Sequence, residues 1–177
     1  MIRERRFAAA ATLALALALT TACAPDPAPT PSPTGFASQE EAFAAAEATY
    51  RAYVDALNAV DYSDPATFEA VFALTRGAAN AADRKDFSNY HANGTRLEGD
   101  FRIASILPTS WDRASSNVLA EACLDVSATS AVDSSETPQS EPARTPVVAL
   151  SVEFVPAATS TGMAISNATA RDGGLEC

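Results

Sequence analysis

Apolar residues recur every three or four positions between residues 38 and 60, and this period predicts an amphipathic helix. Ser38 is followed three residues later by Glu41, which is the capping-box pattern of a helix N-terminus. The apolar face contains Phe43, Ala46, Tyr50, Tyr53, Val54, Leu57 and Val60. We therefore expect one face of this helix to pack against the rest of the domain.

Two shorter helices are predicted to follow. Asp64 and Pro65 suit the N-cap and the first turn of a second helix, which we expect Gly77 to end. Its inward residues are predicted to be Phe68, Val71, Phe72 and Thr75. A third helix is predicted over about residues 78–91 and stops before Asn93 and Gly94, which favour a turn.

After this turn the hydrophobic period changes to two, which predicts strands. They are expected over residues 97–108, 118–126, 148–154 and 163–169. The polar segment 134–145 is predicted to be a loop, because it has too few apolar residues to join a core. Helices followed by strands, without alternation of the two, predict an α+β domain with about three helices on an antiparallel sheet of about four strands.

The N-terminus has the pattern of a secretory signal peptide. Arg3, Arg5 and Arg6 precede an apolar stretch that ends at Ala22. This stretch is shorter than the about 20 apolar residues that a membrane-spanning helix needs. Residues 1–22 are therefore predicted to be removed.

The stretch Leu19-Thr20-Thr21-Ala22-Cys23 resembles the lipobox of bacterial lipoproteins. The resemblance implies that Cys23 is diacylated, so that a diacylglyceryl and palmitate-type anchor holds the chain at the outer face of the cell membrane. Two acyl chains on one residue anchor stably, whereas a single chain binds reversibly. The alternative is an ordinary secreted protein that is cut after an Ala-x-Ala-like site.

The residues after Cys23 are rich in proline and predict a tether. Proline stands at nearly every second position from Pro25 to Pro33, which favours an extended polyproline II conformation. The predicted organisation is therefore a signal peptide over 1–22, a lipidated cysteine with its tether over 23–37, and a single α+β domain over 38–177.

The cysteine count agrees with this organisation. Cys23, Cys123 and Cys177 form an odd set, which would leave a free thiol in an exported chain. If Cys23 carries lipid, the other two can form one bridge in an oxidising compartment.

Charge and composition exclude one class of partner. The chain has a formal net charge of −10, and removal of residues 1–22, with three arginines and one glutamate, makes it −12. Phosphate binding needs clustered Lys and Arg, so nucleic acid is excluded as a partner. Abundant alanine and a single lysine, Lys85, indicate a GC-rich genome and suggest an actinobacterial source.

The segment AFAAAEATYRAYVDALNAVDYSDPATFEAVFALT, residues 42–75, and the strands behind it resemble the cone-shaped nuclear transport factor 2-like fold, also called SnoaL-like. The whole is similar to small actinobacterial lipoproteins whose last strand is followed by Asp-Gly and a cysteine, here in DGGLEC. This resemblance implies a bridge between Cys177 and Cys123. Two free thiols, or an intermolecular bridge, are the alternatives.

Enzymes of this superfamily use a cavity between the first helices and the sheet, with a buried Asp or His as base and a Tyr or Trp beside it. The candidates for such roles here are Tyr50, Tyr53, Asp55, Tyr90, His91 and Trp111. The residues expected to line the cavity are Tyr50, Tyr53, Val54, Leu57, Phe72, Phe101 and Trp111.

Each candidate also has a purely structural interpretation, and no catalytic residue is assigned. Tyr50 and Tyr53 lie on the apolar helix face, Asp55 is expected in solvent, and His91 is expected to interact with the last carbonyls of its helix. A lone histidine without a partner at ligand spacing predicts no transition-metal site, and no cofactor is predicted.

Two hypotheses for function follow. The first is a non-catalytic lipoprotein that binds a protein partner or an apolar small molecule and has only apolar side chains in its cone. The second is a small cyclase, isomerase or dehydratase, which would need a desolvated acid or base with a hydrogen-bond partner in that cone.

Overall fold

The computed structural model describes residues 35–132, 145–171 and 177. The helices are α1 (Gln39–Asn58), α2 (Glu69–Leu74), which continues a 3-10 turn (Pro65–Phe68), and α3 (Gly77–Ala92). The strands are β1 (Arg96–Glu98), β2 (Arg102–Asp112), β3 (Asn117–Asp125), β4 (Ser130–Val132), β5 (Val147–Pro156) and β6 (Met163–Ala170). The main sheet is antiparallel with the order β2-β3-β5-β6, and β1 pairs with β4 in a separate two-stranded ladder. The α+β prediction, with three helices and four main strands, is confirmed.

Helix α1 begins at the predicted capping box. The Ser38 hydroxyl accepts a hydrogen bond from the Glu41 amide at 3.2 Å, and the Glu41 carboxylate accepts one from the Ala37 amide at 2.9 Å. At the other end, the Asn58 amide group both accepts from the Phe101 N–H and donates to the Phe101 carbonyl, each at 2.9 Å. These bonds fix the end of α1 to the residue before β2.

The second helix begins as predicted but ends earlier. Asp64 caps the 3-10 turn, and its carboxylate accepts from the Ala66 amide at 3.0 Å. The prediction that Gly77 ends this helix is wrong, because α2 ends at Leu74 and Gly77 begins α3. Gly77 has a φ of +53°, so it serves the sharp turn between the two helices rather than a C-cap.

The first predicted strand is divided into two. Gly99 has a φ of +79°, and a Cβ atom there would collide with the carbonyl group of Ala128. The chain therefore turns between β1 and β2, and β1 pairs with β4, a short strand that the sequence pattern did not predict. Of the loop predicted over residues 134–145, residues 134–144 lie outside the described residues.

Two clusters of buried side chains form the core. The cluster between α1 and the main sheet, here called the sheet core, contains Ala42, Ala46, Tyr50, Val54, Val118, Ala120, Ala122, Val152, Phe154, Met163 and Ile165. The second cluster, here called the helical core, contains Tyr62, Phe68, Val71, Phe72 and Phe87. Tyr53 packs against both clusters and so lies where they meet.

The residues just before α1 are packed against two hairpin turns. Gly35 lies so close to Ser116, in the β2–β3 turn, that a Cβ atom would stand 2.7 Å from the Ser116 hydroxyl oxygen. The Phe36 ring lies against Gly162 in the β5–β6 turn, 3.6 Å from where a Cβ would be. Ser116 itself has a φ of 58°, which is unusual for a residue other than glycine.

A disulfide joins Cys123 on β3 to Cys177, with a Cα–Cα distance of 5.6 Å. Nearby, Arg171 forms an ion pair with Glu121, two residues before Cys123 on the same face of β3. The structure thus pairs the two cysteines that the lipoprotein resemblance implied. These contacts hold Arg171 and Cys177 to β3, a central strand of the sheet.

Candidate functional site

The residues predicted to line one cavity lie in the two core clusters. Tyr50 and Val54 are buried in the sheet core, and Phe101 and Trp111 pack against it. Phe72 belongs to the helical core instead, and Leu57 packs there too. Among the predicted lining residues, Tyr53 packs against both clusters, and its hydroxyl lies where they meet.

The Tyr53 hydroxyl donates a hydrogen bond to Asp83 Oδ1 at 3.1 Å. Asp83 lies on α3 one turn before Phe87, which is buried in the helical core, so the two side chains share the inward face of this helix. Asp83 was not among the residues singled out in the sequence. Its spacing from Phe87 is a signal that could have found it.

The environment of Asp83 disfavours its ionised form. Burial raises the pKa of the Asp83 carboxyl, whereas the Tyr53 and Thr75 hydroxyls act in the opposite direction. The second carboxylate oxygen, Oδ2, is buried and has no hydrogen-bond partner in the described part of the chain. An unpaired buried acceptor of this kind is costly and can accept from a ligand or hold a proton.

Tyr53 and two tyrosines that interact with it are kept neutral. Burial raises the pKa of Tyr50 to about 12 and that of Tyr62 to about 12. Burial and then the charge of Asp83 raise the pKa of Tyr53 above its usual range. At neutral pH these hydroxyls therefore remain available as hydrogen-bond donors.

The α2–α3 turn beside Asp83 is fixed by its own bonds. The Asn80 amide donates to the Thr75 hydroxyl at 2.9 Å and to the Phe72 carbonyl at 3.3 Å, which satisfies the end of α2. The Arg76 amide donates to the Ile165 carbonyl on β6 at 2.8 Å. The start of α3, and with it Asp83, is thereby tied to the edge of the main sheet.

Other sequence candidates lie apart from this pair. His91 Nδ1 is 2.7 Å from the carbonyl oxygen of Tyr62, so the prediction that it interacts with the last carbonyls of its own helix is wrong. The reason is that the aromatic helical core brings residue 62 beside the end of α3; the His91 and Phe68 rings are also in edge contact. Asp55 is exposed, as predicted.

Tyr90 and Trp111 take packing roles instead. The Tyr90 ring lies 4.9 Å from that of Tyr62 and is 37% exposed. The Trp111 ring packs against the sheet core, and the Arg113 guanidinium lies 5.0 Å from its centre. The Trp111 Nε1–H is buried and has no acceptor among the described residues.

The described residues contain no group of three or more His, Cys, Asp or Glu side chains that could hold a metal ion. Among the helices described, none combines the length and the hydropathy that crossing a bilayer requires.

The arrangement of three helices on an antiparallel sheet defines a cone-shaped, nuclear transport factor 2-like fold. No protein-family model and no curated protein matches this chain. Among solved structures, the intermembrane space region of the chloroplast protein ARC6 aligns with 14% identity, 71% coverage of this chain, 92% of its own and a TM-score of 0.51. A candidate aromatic ring hydroxylase from Novosphingobium aromaticivorans aligns with 14% identity, 76% and 90% coverage and a TM-score of 0.50. These similarities establish the fold.

Proposed function

We propose that the chain is an extracytoplasmic lipoprotein, anchored to the cell membrane through a diacylated Cys23, and that its domain is a binding or accessory module of the cell envelope. The observation that carries this proposal is the bridge between Cys123 and Cys177. Disulfides form and persist in oxidising compartments and are rare in the cytosol. The disulfide therefore supports the proposal that the domain is exported.

The N-terminal sequence supports the same location. A basic segment, an apolar stretch and a cysteine preceded by small residues form the pattern of a lipoprotein signal, and the proline-rich residues after it suit a spacer. Lipidation of Cys23 leaves the other two cysteines to pair with each other. The N-terminal sequence pattern and the disulfide thus both support an extracytoplasmic location.

Exposed apolar residues on the sheet support a binding role. Leu107 on β2 and Leu119 on β3 are 55% and 42% exposed. Their strand partners are Glu121 and Ser110, which places both leucines on the face that carries Cys123 and points away from α1. A protein partner that covers these side chains would remove apolar surface from water.

The anchoring proposal is tested by replacing the proposed lipid site. Cys23→Ser should move the protein from the membrane fraction to the soluble fraction and abolish labelling by a fatty-acid analogue. Cys177→Ser is the matched control, because it removes a cysteine without touching the anchor and should stay labelled and membrane-bound. Unchanged fractionation and labelling of Cys23→Ser would contradict the proposal.

The Tyr53–Asp83 pair favours a second candidate function, a small enzyme that moves a proton on an apolar substrate, such as an isomerase, cyclase or dehydratase. Asp83 has a raised pKa and a free oxygen, which suits a general acid or base, and the Tyr53 hydroxyl orients its carboxyl group. The first hypothesis expects only apolar side chains in the interior, and this pair does not agree with that expectation.

The enzyme candidate is tested by hydrogen exchange at the carbon next to the carbonyl of apolar ketones in D2O, followed by NMR. We expect exchange with the native protein and its loss by roughly 100-fold or more in Asp83→Asn, in line with the usual contribution of a general base. Glu69→Gln, which removes an exposed carboxylate on α2, is the control and should retain activity. Equal rates in the native protein and both variants would refute this role for Asp83.

A further inference from the structure

The two sulfurs of the bridge differ in their access to solvent. Cys123 lies in the middle of β3, where only 2% of its surface is exposed. Cys177 is exposed. Thiol–disulfide exchange requires a thiolate to reach one of the two sulfurs, so access decides which sulfur is attacked.

The strand on which Cys123 lies is fixed on both sides. β3 pairs with β2 on one side and with β5 on the other, with Ser105 and Ala149 as the register partners of Cys123. The same face of β3 is further occupied by the ion pair between Glu121 and Arg171. An external thiol therefore has no open approach to Cys123 while the sheet is intact, whereas Cys177 lies outside the ladder.

We propose that Cys177 is the site at which this protein undergoes thiol–disulfide exchange with external thiols, such as the dithiol of an extracytoplasmic oxidoreductase, and that Cys123 is the leaving group. This inference goes beyond the proposed function and does not depend on lipidation of Cys23. It assigns distinct chemical roles to the two cysteines of the bridge.

Thiol–disulfide exchange at Cys177 replaces one S–S bond with another. The thiolate of the external thiol attacks Cys177 Sγ, a new S–S bond forms between them, and the bond between Cys177 and Cys123 breaks. The electron pair of the broken bond stays on Cys123 Sγ, which takes a proton from water. With a dithiol, its second thiolate then attacks the mixed disulfide, so that the dithiol is oxidised and Cys177 is released as a thiol. Formation of the bridge is the reverse sequence.

The fold explains why such exchange is compatible with a folded domain. Cys123 remains in its hydrogen-bonded ladder during the reaction, and the sheet core lies on the opposite face of the sheet. Only the attachment of Cys177 to β3 is lost. The amide of Arg171 still donates to the Ala149 carbonyl at 3.0 Å, so the end of β6 keeps its own bond to β5.

The test uses the full chain in its native, oxidised form and glutathione as the probe. The protein is incubated briefly with reduced glutathione, quenched with acid, alkylated and digested with trypsin. Cleavage after Arg171 releases Cys177 in the hexapeptide DGGLEC, whereas Cys123 lies in the separate peptide 114–144. Mass spectrometry then counts glutathione on each cysteine.

We expect early glutathione adducts on Cys177 to exceed those on Cys123 by at least about tenfold in the folded protein, because access limits the buried sulfur. In urea the same ratio should fall toward one, since both sulfurs are then accessible. Equal modification in the folded protein, preference for Cys123, or no adduct on Cys177 under conditions where the unfolded chain reacts would each overturn the proposal.

Discussion

Removal of the bridge provides a quantitative test of the structure. Cys123 and Cys177 are separated by 54 positions, so the bridge closes a long loop in the unfolded chain. In the chain-entropy model, a loop of this length restricts the unfolded state by about 4 kcal/mol at 25 °C. Cys177→Ser should therefore lower the free energy of unfolding by about this amount, while the folded sheet and helices stay in place.

The assay is urea denaturation monitored by far-UV circular dichroism. For a domain of this size, about 4 kcal/mol corresponds to a fall in melting temperature of roughly 10–15 °C. The dependence of unfolding free energy on urea should also become steeper, because the unfolded chain without the bridge exposes more surface.

Two comparisons make this result decisive. The native protein with added reductant should match Cys177→Ser in the same buffer, and Cys23→Ser should match the oxidised native protein. A free energy of unfolding of Cys177→Ser within about 1 kcal/mol of that of the oxidised native protein would contradict the loop-entropy model, which predicts several times that difference. A native protein whose stability does not fall with added reductant would contradict it as well.

Three further predictions concern single residues, each checked by urea denaturation. Gly99→Ala should destabilise by about 2 kcal/mol or more, because it strains the positive φ and meets the Ala128 carbonyl; a neutral effect would contradict this turn. Asn58→Ala should lower the free energy of unfolding by about 1–3 kcal/mol, because it removes both hydrogen bonds to Phe101. A loss no larger than that of an alanine substitution at an exposed position without hydrogen bonds would contradict this pairing. The difference in the free energy of unfolding between Asp83→Asn and the native protein should favour the variant more at pH 8 than at pH 4. The folded-state pKa of Asp83 is raised, so the native chain gains stability as pH falls through that pKa; a pH-independent difference would contradict the shift.

Local signals predicted α1 and the main strands well. The capping box at Ser38 and the three-to-four period of apolar residues both concern neighbours in sequence, and the structure contains the corresponding bonds and buried face. The α+β class followed from the order of the elements, since helices came first and strands second. These features need no knowledge of distant contacts.

The features that sequence reasoning missed depend on distant contacts. The break at Gly99 is set by the Ala128 carbonyl, and β4 is only three residues long and is defined by its pairing with β1. Asp83 is a charged residue on a polar helix, and its burial arises only when α3 packs beside Tyr53 of α1. The spacing of Asp83 from Phe87 places it on the inward face of α3, but this spacing does not show that the face meets Tyr53.

The packing of Gly35 and Phe36 against two hairpin turns has a mechanical consequence. A pull on Gly35 would load its contact with Ser116, and then the contact of Phe36 with Gly162, before it loads the first turn of α1.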